Sequence, residues 1–143
     1  MAVIQFFNAD VGFILKQKRK LRALLLEVFV LEGKKLEALD YIFCTDDYLH
    51  KLNLNFLEHD TLTDILTFDL SECRTQAIKG EIYISVERVK ENANTLWVKI
   101  DEEMNRVILH GALHLCGYKD KKKREITIMR EKEDYYLRFL VTK

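Results

Sequence analysis

Two histidines are the residues of this chain best suited to bind a metal ion. His110 and His114 stand four positions apart in the run His-Gly-Ala-Leu-His, inside a segment whose pattern predicts a helix. Residues i and i+4 of a helix lie one turn apart on the same face. Both imidazoles are therefore expected to reach one divalent ion, and imidazole is a common ligand of zinc.

A glycine after this helix brings in a candidate third ligand. Gly117 allows the backbone to reverse, so Asp120 is predicted to return towards His110 and His114. Two histidines and one carboxylate leave a fourth position open, as in catalytic zinc sites, where the ion polarises a substrate oxygen or lowers the pKa of water to roughly 7. The sequence therefore predicts a hydrolytic site with one Zn²⁺, or another divalent metal, per chain.

The residue after the first histidine argues against one class of metalloenzyme. Zinc proteases with two histidines on a helix place a glutamate there as general base, whereas this chain has Gly111. A standard zinc protease is therefore disfavoured. Cys116 would point away from the metal if the helix continues that far, so we predict a buried structural thiol there and not a ligand.

The elements that must position these residues follow from hydrophobic periodicity. Strands are predicted at residues 3–7, 39–44, 65–70 and 80–84. Helices are predicted at about residues 14–32, after Thr45, from Ser85 towards Asn94, from Asp101 to Cys116 and from Arg124 to Leu140. These elements predict an α+β (α/β-like) fold in a single domain over residues 1–143, with a mixed sheet of about four strands and four to five helices.

The composition is that of a folded protein in a reducing compartment. The chain has 143 residues, of which 48% are hydrophobic and 32% charged. Its 23 basic residues balance 23 acidic ones, so a polyanion must be bound by a local patch. Three cysteines without a C-x-x-C pair argue against a disulfide framework, and no segment approaches the length of a membrane span. We expect a cytoplasmic protein with no membrane partner.

Three stretches of the chain resemble the YbeY family. The run HGALHLCGY from His110 to Tyr118 resembles the family signature H-G-x-L-H-L-x-G-Y-D-H. Residues 53–68 resemble the family segment N-x-x-[YF]-R-x-x-D-x-P-T-D-V-L-S-F, and residues 80–84 resemble its strand G-D-I-x-I. Together with the compatible order of strands and helices, these stretches extend the resemblance over most of the chain.

The resemblance implies a single-strand-specific metallo-endoribonuclease, usually with zinc. It implies a role in maturation of the 3′ end of 16S ribosomal RNA and in ribosome quality control, with ribosomal RNA as substrate and the small ribosomal subunit as partner. Within the segment that resembles the family, Asp64 is the best acidic candidate for catalysis. We predict His114 and Asp64 as catalytic residues.

The chain departs from the family pattern at the third ligand, at Leu57 and at Leu62, where leucine in place of proline is interpreted as a loop adjustment. Asp120 stands where the family has its third histidine, and Lys119 replaces the preceding aspartate. A carboxylate is an acceptable zinc ligand but adds negative charge to the site. Leu57 replaces an arginine and cannot donate a hydrogen bond. Candidates to compensate for that arginine are His59, Arg74, Lys79 and Arg106.

Four residues near the predicted site are candidates for binding RNA. Lys119 and Lys121 belong to the basic run at residues 119–124, and Arg106 precedes His110 on the same predicted helix. Tyr118 follows the turn glycine, where an aromatic ring can stack on a base. Phosphate contacts from such cations supply most of the affinity for nucleic acid.

Two other functions remain open at this point. One is a metal-dependent hydrolase of another ester or amide, which would bind the same metal and ignore RNA. The other is a ribosome-associated RNA-binding module with a structural metal, an option that Leu57 and Asp120 keep open.

Overall fold

A computed structural model describes residues 2–57, 63–72 and 76–141 of the chain. No helix in these ranges is both long enough and apolar enough to cross a membrane. The α+β fold with a four-stranded mixed sheet is confirmed. In chain order the described elements are β1 (Val3–Asn8), α1 (Lys18–Leu31), β2 (Lys35–Cys44), α2 (Asp46–Leu57), β3 (Ile65–Asp69), β4 (Ala77–Ser85), α3 (Val86–Leu96), α4 (Ile100–Leu115) and α5 (Lys123–Val141).

The sheet has the strand order β1-β2-β4-β3. The first three of these strands run parallel, because α1 crosses over between β1 and β2, and α2 with β3 lies between β2 and β4. β3 pairs antiparallel with β4, from Ile65 opposite Ile84 to Asp69 opposite Gly80.

The main core lies between one face of the sheet and the helices α1, α4 and α5. Leu39, Tyr41 and Phe43 of β2 are almost completely buried in it. The Tyr41 hydroxyl donates a hydrogen bond of 2.7 Å to the carbonyl of Ile108 in α4, so the one polar group of that ring is satisfied. Leu49 of α2 packs in a smaller separate cluster.

The contact between α4 and β4 depends on a glycine beside the first histidine. A Cβ atom at Gly111 would lie 2.8 Å from Cδ1 of Ile82 and 3.0 Å from Cδ1 of Ile65. Glycine therefore lets the helix approach the sheet more closely than other residues would. The distance between α4 and the sheet in turn determines where His110, the residue before Gly111, lies relative to the sheet.

Both ends of α4 follow from its sequence. Three acids occupy the first turn, where the helix dipole favours negative charge. Gly117 has a φ of +108° just beyond the last turn, and its N–H donates to the carbonyl of His114 at 3.0 Å. The apolar residues that recur at helical spacing in α4 are buried: Met104, Val107, Ile108, Ala112 and Leu115.

The predicted starts of one helix and two strands are wrong, by about one turn for the helix and by three or four residues for the strands. α1 begins at Lys18 and not near Ile14, because Gln17 has a left-handed φ of 61° and interrupts the helix. Ile14 is 83% exposed. β2 begins at Lys35 and not at Leu39, and β4 begins at Ala77 and not at Gly80, because the two strands pair from Lys35 opposite Ala77 onwards. The added part of β2 includes Leu36, which pairs with Ile78 and packs partly buried against the core.

Glu32, at the end of α1, joins three parts of the chain. Its carboxylate accepts hydrogen bonds from the hydroxyls of Tyr118 at 2.6 Å and Tyr136 at 2.5 Å, and from Lys132 Nζ at 3.2 Å. Burial raises the pKa of Glu32, but these three hydrogen bonds outweigh it, so the pKa lies below its ordinary value. Glu32 thus ties α1 to α5 and to the segment after α4.

Alanine in place of Gly117 is expected to lower the free energy of unfolding by about 1–2 kcal/mol, because a side chain is strained at this positive φ. Urea unfolding followed by circular dichroism measures the change. Gly12→Ala is the matched control, since a Cβ atom there meets no atom within 4 Å. Equal stability of Gly117→Ala and the wild type would contradict the role given to this turn.

Glu32→Gln is expected to lower the free energy of unfolding by about 1–3 kcal/mol near neutral pH, since the charged acceptor of three donors is lost. Glu27→Gln, on the exposed side of α1, is the control. Because the pKa of Glu32 in the folded state lies below its ordinary value of 4.5, its contribution is complete above pH 4.5 and is lost as the pH falls through the folded value. If the difference in free energy of unfolding between the wild type and Glu32→Gln does not become smaller in acid, this account is refuted.

Candidate metal centre

The structure brings the three predicted metal ligands together. His110 and His114 project from one face of α4, with ring centroids 4.7 Å apart. Oδ2 of Asp120 lies 3.1 Å from Nε2 of His110 and 3.3 Å from Nε2 of His114. One ligand atom from each residue falls within a span of 4.8 Å. Two imidazole nitrogens and a carboxylate oxygen fit a divalent ion such as zinc.

The turn after α4 places Asp120. Gly117 reverses the backbone with its positive φ, and the N–H of Tyr118 donates to the carbonyl of Leu113 at 3.1 Å. The Tyr118 hydroxyl is held by Glu32. The backbone and the hydroxyl of Tyr118 thus both hold the turn in place. Asp120 therefore lies against the histidine face of α4, although it belongs to no helix or strand.

A buried carboxylate from α5 holds the first histidine. Oε2 of Glu133 lies 2.6 Å from Nδ1 of His110, and its Oε1 accepts a hydrogen bond of 3.0 Å from Arg106. Glu133 is only 4% exposed. An acceptor at Nδ1 favours the tautomer that carries its proton there, which leaves the Nε2 lone pair for a metal.

Carboxylates surround His110 on both sides of its ring. Burial lowers the pKa of His110, but the hydrogen bond and charge of Glu133, together with the charges of Asp120 and Asp64, outweigh burial and raise that pKa. The surroundings of His110 therefore favour positive charge. A divalent ion supplies positive charge at the same point, so the electrostatics of the site also fit a cation.

Sequence reasoning missed Glu133, although a signal was present. The buried residues of α5 include Met129, Tyr136 and Leu140, which recur at helical spacing, and Glu133 falls on the same stripe. A carboxylate within an apolar stripe needs a partner inside the protein. Here the partners are His110 and Arg106.

The three ligands line a cleft of about 890 Å³ between β3, α4 and α5. The predicted catalytic residue Asp64 also lines it, at the start of β3, and Nδ2 of Asn92 lies 3.4 Å from its Oδ2. Burial raises the pKa of Asp64. Acids outnumber the cations Arg106, Lys121 and Arg130 in the described lining, which includes the carboxylates Asp64, Asp69, Glu103, Asp120 and Glu133.

The four predicted RNA-binding residues divide into two groups. Arg106 and Lys121 line the cleft, and Arg106 also bonds Asp134 at 2.7 Å. Lys119 is exposed but falls outside the described lining. Tyr118 falls outside it too, with its ring packed against the core and Lys132 Nζ 5.7 Å from the ring centroid.

Other residues singled out in the sequence take no described part in the cleft. Cys116 is a buried free thiol as predicted, and burial raises its pKa to about 12. Lys79 is exposed on β4. His59, Arg74 and the side chain of Leu57 lie outside the described residues.

Comparisons with known proteins agree with the resemblance found in the sequence. A family model described as endoribonuclease YbeY matches residues 10–141. The endoribonuclease YbeY of Christiangramia forsetii is 46% identical over 131 residues, which cover 92% of this chain and 90% of that protein. That of Flavobacterium psychrophilum is 42% identical over 137 residues, or 96% of each chain.

A solved structure shares the fold. The solution structure of a protein from Thermotoga maritima superposes with a TM-score of 0.66 at 30% identity, over 95% of this chain and 87% of that one. The predicted family is thereby confirmed by sequence over nearly all of the chain and by fold. The chain belongs to the YbeY family of endoribonucleases.

Proposed function

We propose that this chain is a metal-dependent endoribonuclease that cleaves single-stranded RNA, with one zinc ion held by His110, His114 and Asp120. The observation that carries the proposal is the convergence of these three ligand atoms within 4.8 Å in a member of an endoribonuclease family. The nuclease is proposed to be a single domain over residues 1–143.

Each part of the site has a proposed task. A divalent ion supplies Lewis acidity to a phosphoryl oxygen and lowers the pKa of water to roughly 7. Glu133 orients His110 through Nδ1, and His114 completes the ligand set on the same helix face. Asp64 presents a carboxylate to the cleft, where it orients the groups that react. His114 and Asp64 are the proposed catalytic residues.

Binding of RNA is proposed to use cations at and beside the cleft. Lys121 is exposed on its lining and Lys119 stands two residues away, so both can reach phosphates. Arg106 is bonded to Glu133 and Asp134, but a guanidinium has five N–H donors and can add a phosphate contact. Tyr118 is proposed to contact RNA at the edge of the site.

The cellular role proposed for the enzyme comes from its family. The substrate is ribosomal RNA, cleaved during maturation of the 3′ end of 16S RNA and in ribosome quality control. The partner is the small ribosomal subunit, and the place of action is the cytoplasm. Family membership over residues 10–141 supports this proposal.

His114→Ala is expected to lose the zinc and most cleavage of single-stranded RNA, because one of three ligands is removed. The measurements are zinc content by mass spectrometry and cleavage of single-stranded, double-stranded and ribosomal RNA, with and without a chelator. His50→Ala, on α2 and outside the described lining of the cleft, is the control.

Each outcome of that experiment separates the proposal from its rivals. Cleavage that disappears both in His114→Ala and with the chelator supports the nuclease. Loss of zinc with unchanged cleavage would show that the site does not perform the reaction. Tight binding of RNA without cleavage would favour an RNA-binding module, and neither binding nor cleavage would favour a hydrolase of another substrate.

Glu133→Gln is expected to weaken zinc binding by about 10–100-fold, because a neutral side chain holds Nδ1 of His110 less firmly. Competition with a zinc-binding dye measures the affinity, and circular dichroism checks the fold. Glu131→Gln, exposed on the same helix, is the control for a change of charge. Unchanged zinc affinity in Glu133→Gln would contradict the orienting role.

A further inference from the structure

Asp120 is the predicted ligand with the least support of its own. Among the residues that the structure describes, its Oδ2 contacts Nε2 of His110 and of His114, and no other side chain or backbone group donates to its carboxylate. The side chain is 39% exposed, and the residue belongs to no helix or strand. The place of this carboxylate therefore depends on how the chain is held just before and just after residue 120.

The anchor after Asp120 is local. Oε1 of Glu125, in the first turn of α5, accepts hydrogen bonds from the backbone N–H of Lys121 at 3.2 Å and of Lys122 at 2.8 Å. A glutamate that reaches back to the N–H groups ahead of its helix resembles half of a capping box. This anchor forms with the helix and needs no other part of the fold.

The anchor before Asp120 is tertiary. The Tyr118 hydroxyl donates to Oε1 of Glu32 at 2.6 Å, across 86 positions of the chain. The Glu32 side chain is only 10% exposed and lies outside the described lining of the cleft. Burial raises its pKa, but hydrogen bonds from Tyr118, Tyr136 and Lys132 outweigh burial and lower that pKa. Glu32 is therefore charged near neutral pH, and a charged acceptor makes the stronger kind of hydrogen bond.

We propose that the hydrogen bond from Tyr118 to Glu32 positions Asp120 as the third zinc ligand, so that zinc affinity depends on a carboxylate of α1 that lies outside the cleft. Tyr118 and Glu32 are positioning residues in this proposal. The inference rests on the proposed function, because Asp120 is one of its three ligands. Without the hydroxyl, the segment from residue 118 to residue 121 keeps only its local anchor, and Asp120 is in place for a smaller fraction of the time. The apparent zinc affinity falls by that fraction.

Two tyrosines of the same carboxylate provide a matched pair of variants. Tyr118→Phe removes the hydroxyl that holds the turn but keeps the ring, and it is expected to weaken zinc binding by about tenfold. Tyr136→Phe removes the hydroxyl that donates to the same Glu32 at 2.5 Å from within α5, and it is expected to bind zinc as the wild type does. A merely structural role of Glu32 would affect both variants alike.

The measurements use the full chain. Competition with a zinc-binding dye gives the affinity, and urea unfolding of the zinc-free proteins compares their stability. Asp120→Ala is expected to weaken zinc binding, because a ligand is removed. Adding Tyr118→Phe to Asp120→Ala is expected to weaken it no further, since the carboxylate to be positioned is gone.

Three results would overturn the inference: wild-type zinc affinity in Tyr118→Phe, an equal loss in Tyr136→Phe, or an undiminished effect of Tyr118→Phe beside Asp120→Ala. Unchanged zinc affinity in Asp120→Ala alone would remove Asp120 from the proposed ligand set, and the inference with it. Zinc affinities that follow the expectation in a protein that cleaves no RNA would leave the inference standing and remove the nuclease.

Discussion

The close packing of α4 on β4 is the constraint on which the rest of the site depends. Gly111 on the helix faces Ile82 of the strand, and Gly80 on the strand faces the side chain of Leu115. Each glycine removes a Cβ atom that would meet its neighbour at less than 3 Å. With α4 held at this distance, the adjacent face of the helix, which carries His110 and His114, lines the cleft, and α5 packs beside it to deliver Glu133.

Local patterns in the sequence predicted α4 and its turn, because everything that defines them is local. The acids of the first turn, the apolar stripe and Gly117 lie within one stretch of chain, and the histidine pair follows from helical spacing. The apolar stripe of α5 could have marked Glu133 as a buried acid, but not His110 as its partner, because that contact depends on how α5 packs against α4, 23 positions from His110. The strand order is likewise a property of the tertiary structure.

Tyr118 shows a limit of reasoning from proximity in sequence. Its place after Gly117 predicted a ring near the metal site, but its hydroxyl donates a hydrogen bond to the carboxylate of Glu32, 86 positions away. Asp120, two residues further on, does face the histidines. Successive side chains of a turn point in different directions. The sequence therefore predicted the turn, but it could not tell which of its residues face the histidines.

The position of Glu133 makes the metal centre depend on α5 although α5 supplies none of its predicted ligands. All three predicted zinc ligands and Asp64 precede residue 123, where α5 begins, whereas the carboxylate that holds Nδ1 of His110 follows it. A chain truncated before α5 would therefore keep the ligands and lose the group that orients the first of them. The packing of α5 on α4 thus couples the geometry of the metal centre to the integrity of the fold.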